Sequence, residues 1–159
     1  MAARLDSHYV RLAAAVPLHA DPDAVAEVLT NGPDRWAVRE DMPGRRRYAV
    51  DLRLRLGGDS AALTTFRKAA LVDLGPVCAV GGSYVAEIGW RAGTAAPLFP
   101  VFSGELRIGP EVLAIAGLYA PPGGALGRMA DRALLHVAAS GTARWLLTEL
   151  DRAALGTAG

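Results

Sequence analysis

The sequence predicts an α+β fold, a curved and mostly antiparallel β-sheet closed by one long C-terminal helix. Three observations carry that prediction. Successive segments between Tyr9 and Ala120 alternate apolar and polar residues at period two. Short runs of Gly, Pro, Asn and Asp separate most of them, which suits turns better than helical crossovers. After Pro121-Pro122-Gly123-Gly124 the pattern changes to a helical period and holds to about Leu155. At 159 residues the chain is expected to form one domain, with a core from about residue 8 to residue 155.

The first strand runs from Tyr9 to Pro17, where Val10, Leu12, Ala14 and Val16 share a phase. Asp21-Pro22 then reads as an N-cap with proline in the first helical turn, and Asn31-Gly32 as the stop. Pro33-Asp34 starts a second short helix carrying Trp36, followed by a solvated connection from Arg39 to Arg47. From Arg47 to Leu56, Tyr48, Val50, Leu52, Leu54 and Leu56 face one way and the arginines the other. Gly57-Gly58-Asp59-Ser60 turns the chain into a strand over about Thr64 to Leu74, which ends at Gly75-Pro76. Tyr84, Ala86, Ile88 and Trp90 share the inner phase of the next strand. Phe102, Leu106 and Ile108 do so in a strand over Leu98 to Ile108, with Ser103, Glu105 and Arg107 outward.

The last strand is apolar on both faces, so its inward set is either Val112, Ala114, Ala116 and Leu118 or Leu113, Ile115 and Tyr119. A strand wet on neither side is central or belongs to an interface, as in a homodimer. The final helix is expected from about Gly124 to Leu155, with Ala130, Leu134, Val137, Ala138, Gly141 and Trp145 on its inner face.

Composition narrows the function classes. Apolar residues make up 52% of the chain, more than an ordinary packed core requires and suited to coating a cavity as well. The net charge of +1 gives no electrostatic case for nucleic acid. No apolar run approaches the roughly 20 residues of a membrane span. The single cysteine, Cys78, excludes an internal disulfide and is expected to be a buried, inert thiol. With no signal-peptide core near the first residues, the expected location is the cytoplasm. His8, His19 and His136 are widely spaced, so no metal site is expected, and no cofactor motif is present. Arg45-Arg46-Arg47 reads as a solvated charge run.

The order of strand, two short helices, antiparallel strands and long C-terminal helix resembles the START-like SRPBCC superfamily, which includes the birch-pollen allergen and polyketide cyclases. The resemblance rests on Val16-Pro17, on Ala20-Asp21-Pro22-Asp23-Ala24-Val25 with Val28-Leu29 and Trp36, and on Tyr119-Ala120-Pro121-Pro122-Gly123 with Leu126-Gly127-Arg128-Met129-Ala130-Asp131-Arg132. It implies a helix-grip fold, in which the sheet wraps round the last helix and leaves a pocket between them. It says little of activity, because one fold hosts many functions.

A small hydrophobic or aromatic ligand is therefore the expected partner, lipid-like or polyketide-like. Its pocket would be lined by Trp36, Tyr48, Phe66, Tyr84, Trp90 and Phe102 from the sheet side. Leu134, Val137, Gly141 and Trp145 would face it from the helix. Tyr48 and Tyr84 carry hydroxyls that need partners when buried. Lys68, the only lysine in the chain, falls on the same strand phase as Phe66 and Ala70, where it would anchor an acidic ligand or reach water from an edge. The alternatives are a cyclase/aromatase-type enzyme, which needs convergent acid and base groups, and a regulatory or protein-interaction module.

Overall fold

The computed structural model describes residues 9–56, 64–93, 101–120 and 132–157; within 52–56, 64–68, 132–135, 138 and 157 the description is of the backbone. The strands are β1 Val10–Pro17, β2 Ala37–Met42, β3 Arg45–Leu56, β4 Thr64–Leu74, β5 Cys78–Val80, β6 Ser83–Ala92, β7 Val101–Ile108 and β8 Val112–Ala120. Helix α1 spans Pro22–Asn31 and α2 spans Arg132–Thr157. The eight strands form one antiparallel sheet in the order β1-β8-β7-β6-β4-β3-β2, with β5 paired to β6. Helix α2 packs against α1, against β1 and β8 near one edge of the sheet, and against β3 near the other. A straight helix reaches both sides of a seven-strand path only if the sheet curves round it.

Helix α1 begins and ends where its residues dictate. Asp21 has extended backbone and accepts from the Asp23 N–H at 2.8 Å, with Pro22 behind it in the first turn. Gly32 closes the helix at φ 86°, its N–H donating to the Val28 carbonyl at 2.8 Å. The expected second helix is absent. Pro33 to Trp36 is a single turn, with the Trp36 N–H on the Pro33 carbonyl at 2.9 Å. The expected connection from Arg39 to Arg47 is a hairpin instead, β2 turning into β3 at Pro43-Gly44, where Gly44 has φ 76°. Its charges deceive because they match across the strands. Arg47 holds both Glu40 and Asp73 at 2.7 Å, and this raises its pKa, Asp73 foremost. Arg46 donates to the Thr30 carbonyl at 2.5 Å, capping the last turn of α1. The arginine run is thus largely structural.

The inner phase of β8 is Leu113, Ile115 and Tyr119, each at most 2% exposed, while Val112 and Leu118 face out at 43% and 45%. The C-terminal helix is confirmed from Arg132; Gly124 to Asp131, with the proposed Ala130, lie outside the described residues. Its inner face differs from the expected one. Ala139, Ala143, Leu146, Leu147, Leu150 and Ala154 are fully buried, whereas Val137 is 55% exposed and Trp145 half-buried. At 100° per residue the buried stripe is centred about 180° from the predicted one, on the opposite side of the helix. Alanines on several faces blur the pattern, and the leucines in the second half decide it. Cys78 is exposed on the short edge piece β5, which corrects the expectation of a buried thiol.

Asp151 ties the two ends of the described chain together. One carboxylate oxygen accepts the backbone N–H groups of His19 and Ala20 at 3.0 and 2.9 Å, and the other meets His19 Nδ1 at 2.8 Å. Burial opposes ionisation of this carboxyl, but the Ala20 N–H, the imidazole and the His19 N–H outweigh it and hold its pKa below the usual carboxylate range. His19 is accordingly a structural histidine.

Tyr48 shows how tightly the α1 stop is seated. A Cβ added at Gly32 would lie 2.5 Å from the Tyr48 hydroxyl and 2.7 Å from Cε1, and Tyr48 is fully buried. Gly32→Ala therefore combines a backbone conformation suited to glycine with an overlap, and is expected to cost about 2 kcal/mol in chemical denaturation. Adding Tyr48→Phe should recover part of that loss, because the overlap is closest at the hydroxyl.

Candidate functional site

Register brings the inner-facing aromatics into one row. Reading across the sheet, the paired residues are Tyr48 on β3, Val72 on β4, Trp90 on β6, Phe102 on β7 and Tyr119 on β8. All five are at most 2% exposed. The row crosses the concave side, towards which α2 packs from β1, β8 and β3.

Its centre is the pair Trp90 and Phe102, stacked with ring centroids 4.0 Å apart and planes 17° from parallel. The Phe102 ring reaches along its own strand towards Gly104 and Gly117, which are partners in the β7–β8 register. A Cβ on Gly104 would lie 2.6 Å from Phe102 Cζ, and one on Gly117 2.8 Å from the same atom. The glycine pair thus makes the bed on which the Phe102 ring lies, and Phe102 in turn supports the indole. On the other side of the row the paired inner residues are Val50, Ala70 and Ala92, so small side chains neighbour Trp90 there.

Two buried side-chain polar atoms lack a hydrogen bond among the described residues, the Trp90 indole Nε1 and the Tyr48 hydroxyl. A buried donor without an acceptor forfeits about 1–3 kcal/mol. The two differ in setting. Tyr48 is wedged under Gly32, its ring edge-on to Trp36 at 5.7 Å. The Arg46 guanidinium lies near its hydroxyl without meeting hydrogen-bond geometry, and that proximity foremost, then Asp41, raises the pKa of Arg46. It is committed to the end of α1. Trp90 stands at the middle of the row, on the sheet's concave side.

The other sequence-predicted residues divide as follows. Trp36 is buried over Tyr48 and also borders an open groove of about 560 Å³ between the end of α1 and the end of α2, with Glu27, Asn31, Glu149 and Arg152. Tyr84 shares the phase of Trp90 but stands at the far end of β6, where its hydroxyl donates to Asp23 at 2.5 Å. That hydrogen bond, chiefly, raises the Tyr84 pKa, and it serves to fasten α1 to the sheet. Val137 faces outward and drops out. Gly141 is half-buried, and a methyl there would meet nothing within 4 Å, so close packing is not its reason. Trp145 packs only partly against the core. Phe66 and Lys68 stand in register opposite Leu54 and Leu52, and Leu134 lies in the first turn of α2; the side chains of all three lie outside the described residues.

Tyr119 is the inner aromatic that periodicity did not single out. Burial raises its pKa, and its ring lies 6.2 Å from that of His136 on α2. The signal was its parity with Leu113 and Ile115, readable once the inner phase of β8 is known. Among the described residues no group of three or more His, Cys, Asp or Glu is placed to hold a metal ion. No described helix is long and apolar enough to cross a membrane.

No protein-family model and no curated protein matches the chain. Among solved structures, a conserved protein from Geobacillus kaustophilus is similar at a TM-score of 0.52 and 11% identity, over 93% of this chain and 97% of that one. At that identity the likeness concerns fold alone: an antiparallel sheet with a C-terminal helix.

Proposed function

We propose that this chain is a START-like, SRPBCC-type helix-grip domain that binds a small hydrophobic or aromatic molecule between the sheet and α2. The observation that carries the reading is the Trp90 indole, a buried N–H with no acceptor among the described residues, at the centre of a row of buried aromatics. Ligand pockets combine apolar walls with a few placed polar groups, and an orphan donor among stacked rings is such a group. A ligand bearing a carbonyl, phenol or carboxylate oxygen on an apolar body, lipid-like or polyketide-like, would stack on this row and accept from Nε1. Ala70 and Ala92, the inner residues beside Trp90 in the register, are small side chains.

Binding is preferred to the cyclase/aromatase-type reading because the described interior offers no paired acid and base. Its buried carboxylate, Asp151, is spent on His19 and Ala20. Native mass spectrometry of the gently purified protein tests the proposal. A bound mass of a few hundred daltons, released on denaturation and diminished in Trp90→Phe, is the expected result. A bound mass equally retained in Trp90→Phe would remove the indole from the site.

A further inference from the structure

The open groove of about 560 Å³ between the ends of α1 and α2 is made by what the two helices turn towards it. Helix α1 contributes Ala24, Glu27 and Val28, and α2 contributes Glu149, Ala153 and Gly156, each set at the spacing that keeps to one helix face. Ala24, Ala153 and Gly156 carry a methyl group or less, and a Cβ added at Gly156 would meet nothing within 4 Å. Small residues on facing helices leave the room, and its volume is that of a small-molecule site, which runs from about 300 to 1,000 Å³. The groove is bordered by Trp36, which is buried and rests edge-on to Tyr48 behind it.

Charge on the rim decides what fits. Arg152 is taken up by Glu149. Glu27 and Asp34 are exposed and hold no cation among the described residues, against one lining guanidinium, Arg35, that holds no carboxylate there. Both helices also end at the groove, α1 at Asn31 and α2 at Thr157, and helix C-termini carry negative potential. Arg46 offsets that of α1 through the Thr30 carbonyl, but α2 has no basic residue in its last turn. A bare metal ion suits the groove poorly, because no three described carboxylate, imidazole or thiol groups converge. We propose that the groove binds an organic cation, an alkylated ammonium on a small apolar body. Its charge lies towards Glu27 and Asp34, and its body rests against Trp36, Val28 and Ala153. An indole beside carboxylates is well suited to an ammonium, whose charge it attracts through the ring. The Trp90 indole takes no part.

The test titrates the ¹⁵N-labelled full chain with benzyltrimethylammonium and follows the indole N–H signals, that of Trp36 being assigned with Trp36→Phe. A saturable shift at Trp36 with a dissociation constant of about 1 mM or tighter is expected. Benzyl alcohol, which lacks the charge, should bind at least about fivefold more weakly, as should the probe to Glu27→Gln combined with Asp34→Asn. Ala153→Leu fills the groove without touching a charge, and should abolish the shift while the thermal melt is kept. A Trp36 signal unmoved at about 10 mM probe would overturn the proposal. So would an equal response to benzyl alcohol, unweakened binding in the double carboxamide variant, or binding that survives Ala153→Leu. A shift at Trp90 without one at Trp36 would place the probe in the aromatic row and overturn it as well.

Discussion

Gly117→Ala is expected to destabilise the protein by about 3 kcal/mol or more, lowering the melting temperature by roughly 6–12 °C for a chain of this size. The reason is backbone, which cannot rotate away. A Cβ at Gly117 would run into the Ser103 carbonyl and would lie 2.6 Å from the Gly104 Cα on the paired strand, with Phe102 Cζ at 2.8 Å. Gly104 is boxed in reciprocally by the Ala116 carbonyl and the Gly117 Cα. The two strands approach at this point with no room for side chains. Relief requires β7 and β8 to separate, which would disturb the seat of the Phe102 ring. Differential scanning calorimetry of Gly117→Ala beside Gly81→Ala provides the contrast. Gly81 is a turn glycine with φ 56° and nothing within 4 Å of an added Cβ, so its loss should reflect the backbone conformation alone. Equal losses in the two variants would count against a steric origin.

Asp151→Ala should cost a similar amount, about 3 kcal/mol by urea denaturation, because it strips three hydrogen bonds from one buried carboxylate and leaves the Ala20 N–H without an acceptor. Asp151→Asn keeps an oxygen for both backbone N–H groups and should lose only about 1 kcal/mol. The two variants also separate charge from shape through pH. The folded-state pKa of Asp151 is depressed below the ordinary 3.8, so its contribution is complete above that value. It is lost as the pH falls below 3.8 through the folded-state value. Wild-type stability should therefore fall more steeply with acid than that of Asp151→Asn, with the two curves converging at the lowest pH. Parallel curves would mean that the carboxylate carries no linkage.

Local chemistry made much of the fold legible. The Asp21-Pro22 start and Gly32 stop of α1 follow from capping, and the inner phases of β3, β6 and β7 follow from alternation, because polar residues mark their outer faces. Where both faces are small or apolar, periodicity has nothing to contrast. The β8 phase and the face of the alanine-rich α2 needed the three-dimensional packing. Asp151 and His19 are 132 residues apart, and no local pattern announces that they meet. The Gly104–Gly117 apposition exists only once the β7–β8 register is fixed.

The candidate site divides along the same line. Trp90 and Phe102 were placed inward by alternation and are found there, stacked. Tyr84 has the same parity as Trp90, yet parity names a face and not a position along it, and Tyr84 ends at α1 rather than in the aromatic row. That Trp90 lacks an acceptor among the described residues was invisible in the sequence, since it depends on which strands flank β6.

The most direct measurement on the proposed site follows the indole N–H resonances in a ¹H–¹⁵N correlation spectrum. The chain has three tryptophans, Trp36, Trp90 and Trp145, so the spectrum is simple, and Trp90→Phe assigns the critical signal. The probe is 2-naphthoate, an apolar aromatic body carrying acceptor oxygens. The account predicts that titration moves the Trp90 indole signal downfield in a saturable way, as its proton gains an acceptor, with smaller changes at Trp145. A Trp90 signal that stays fixed while the probe binds elsewhere, or that is unmoved at saturating probe, would contradict it.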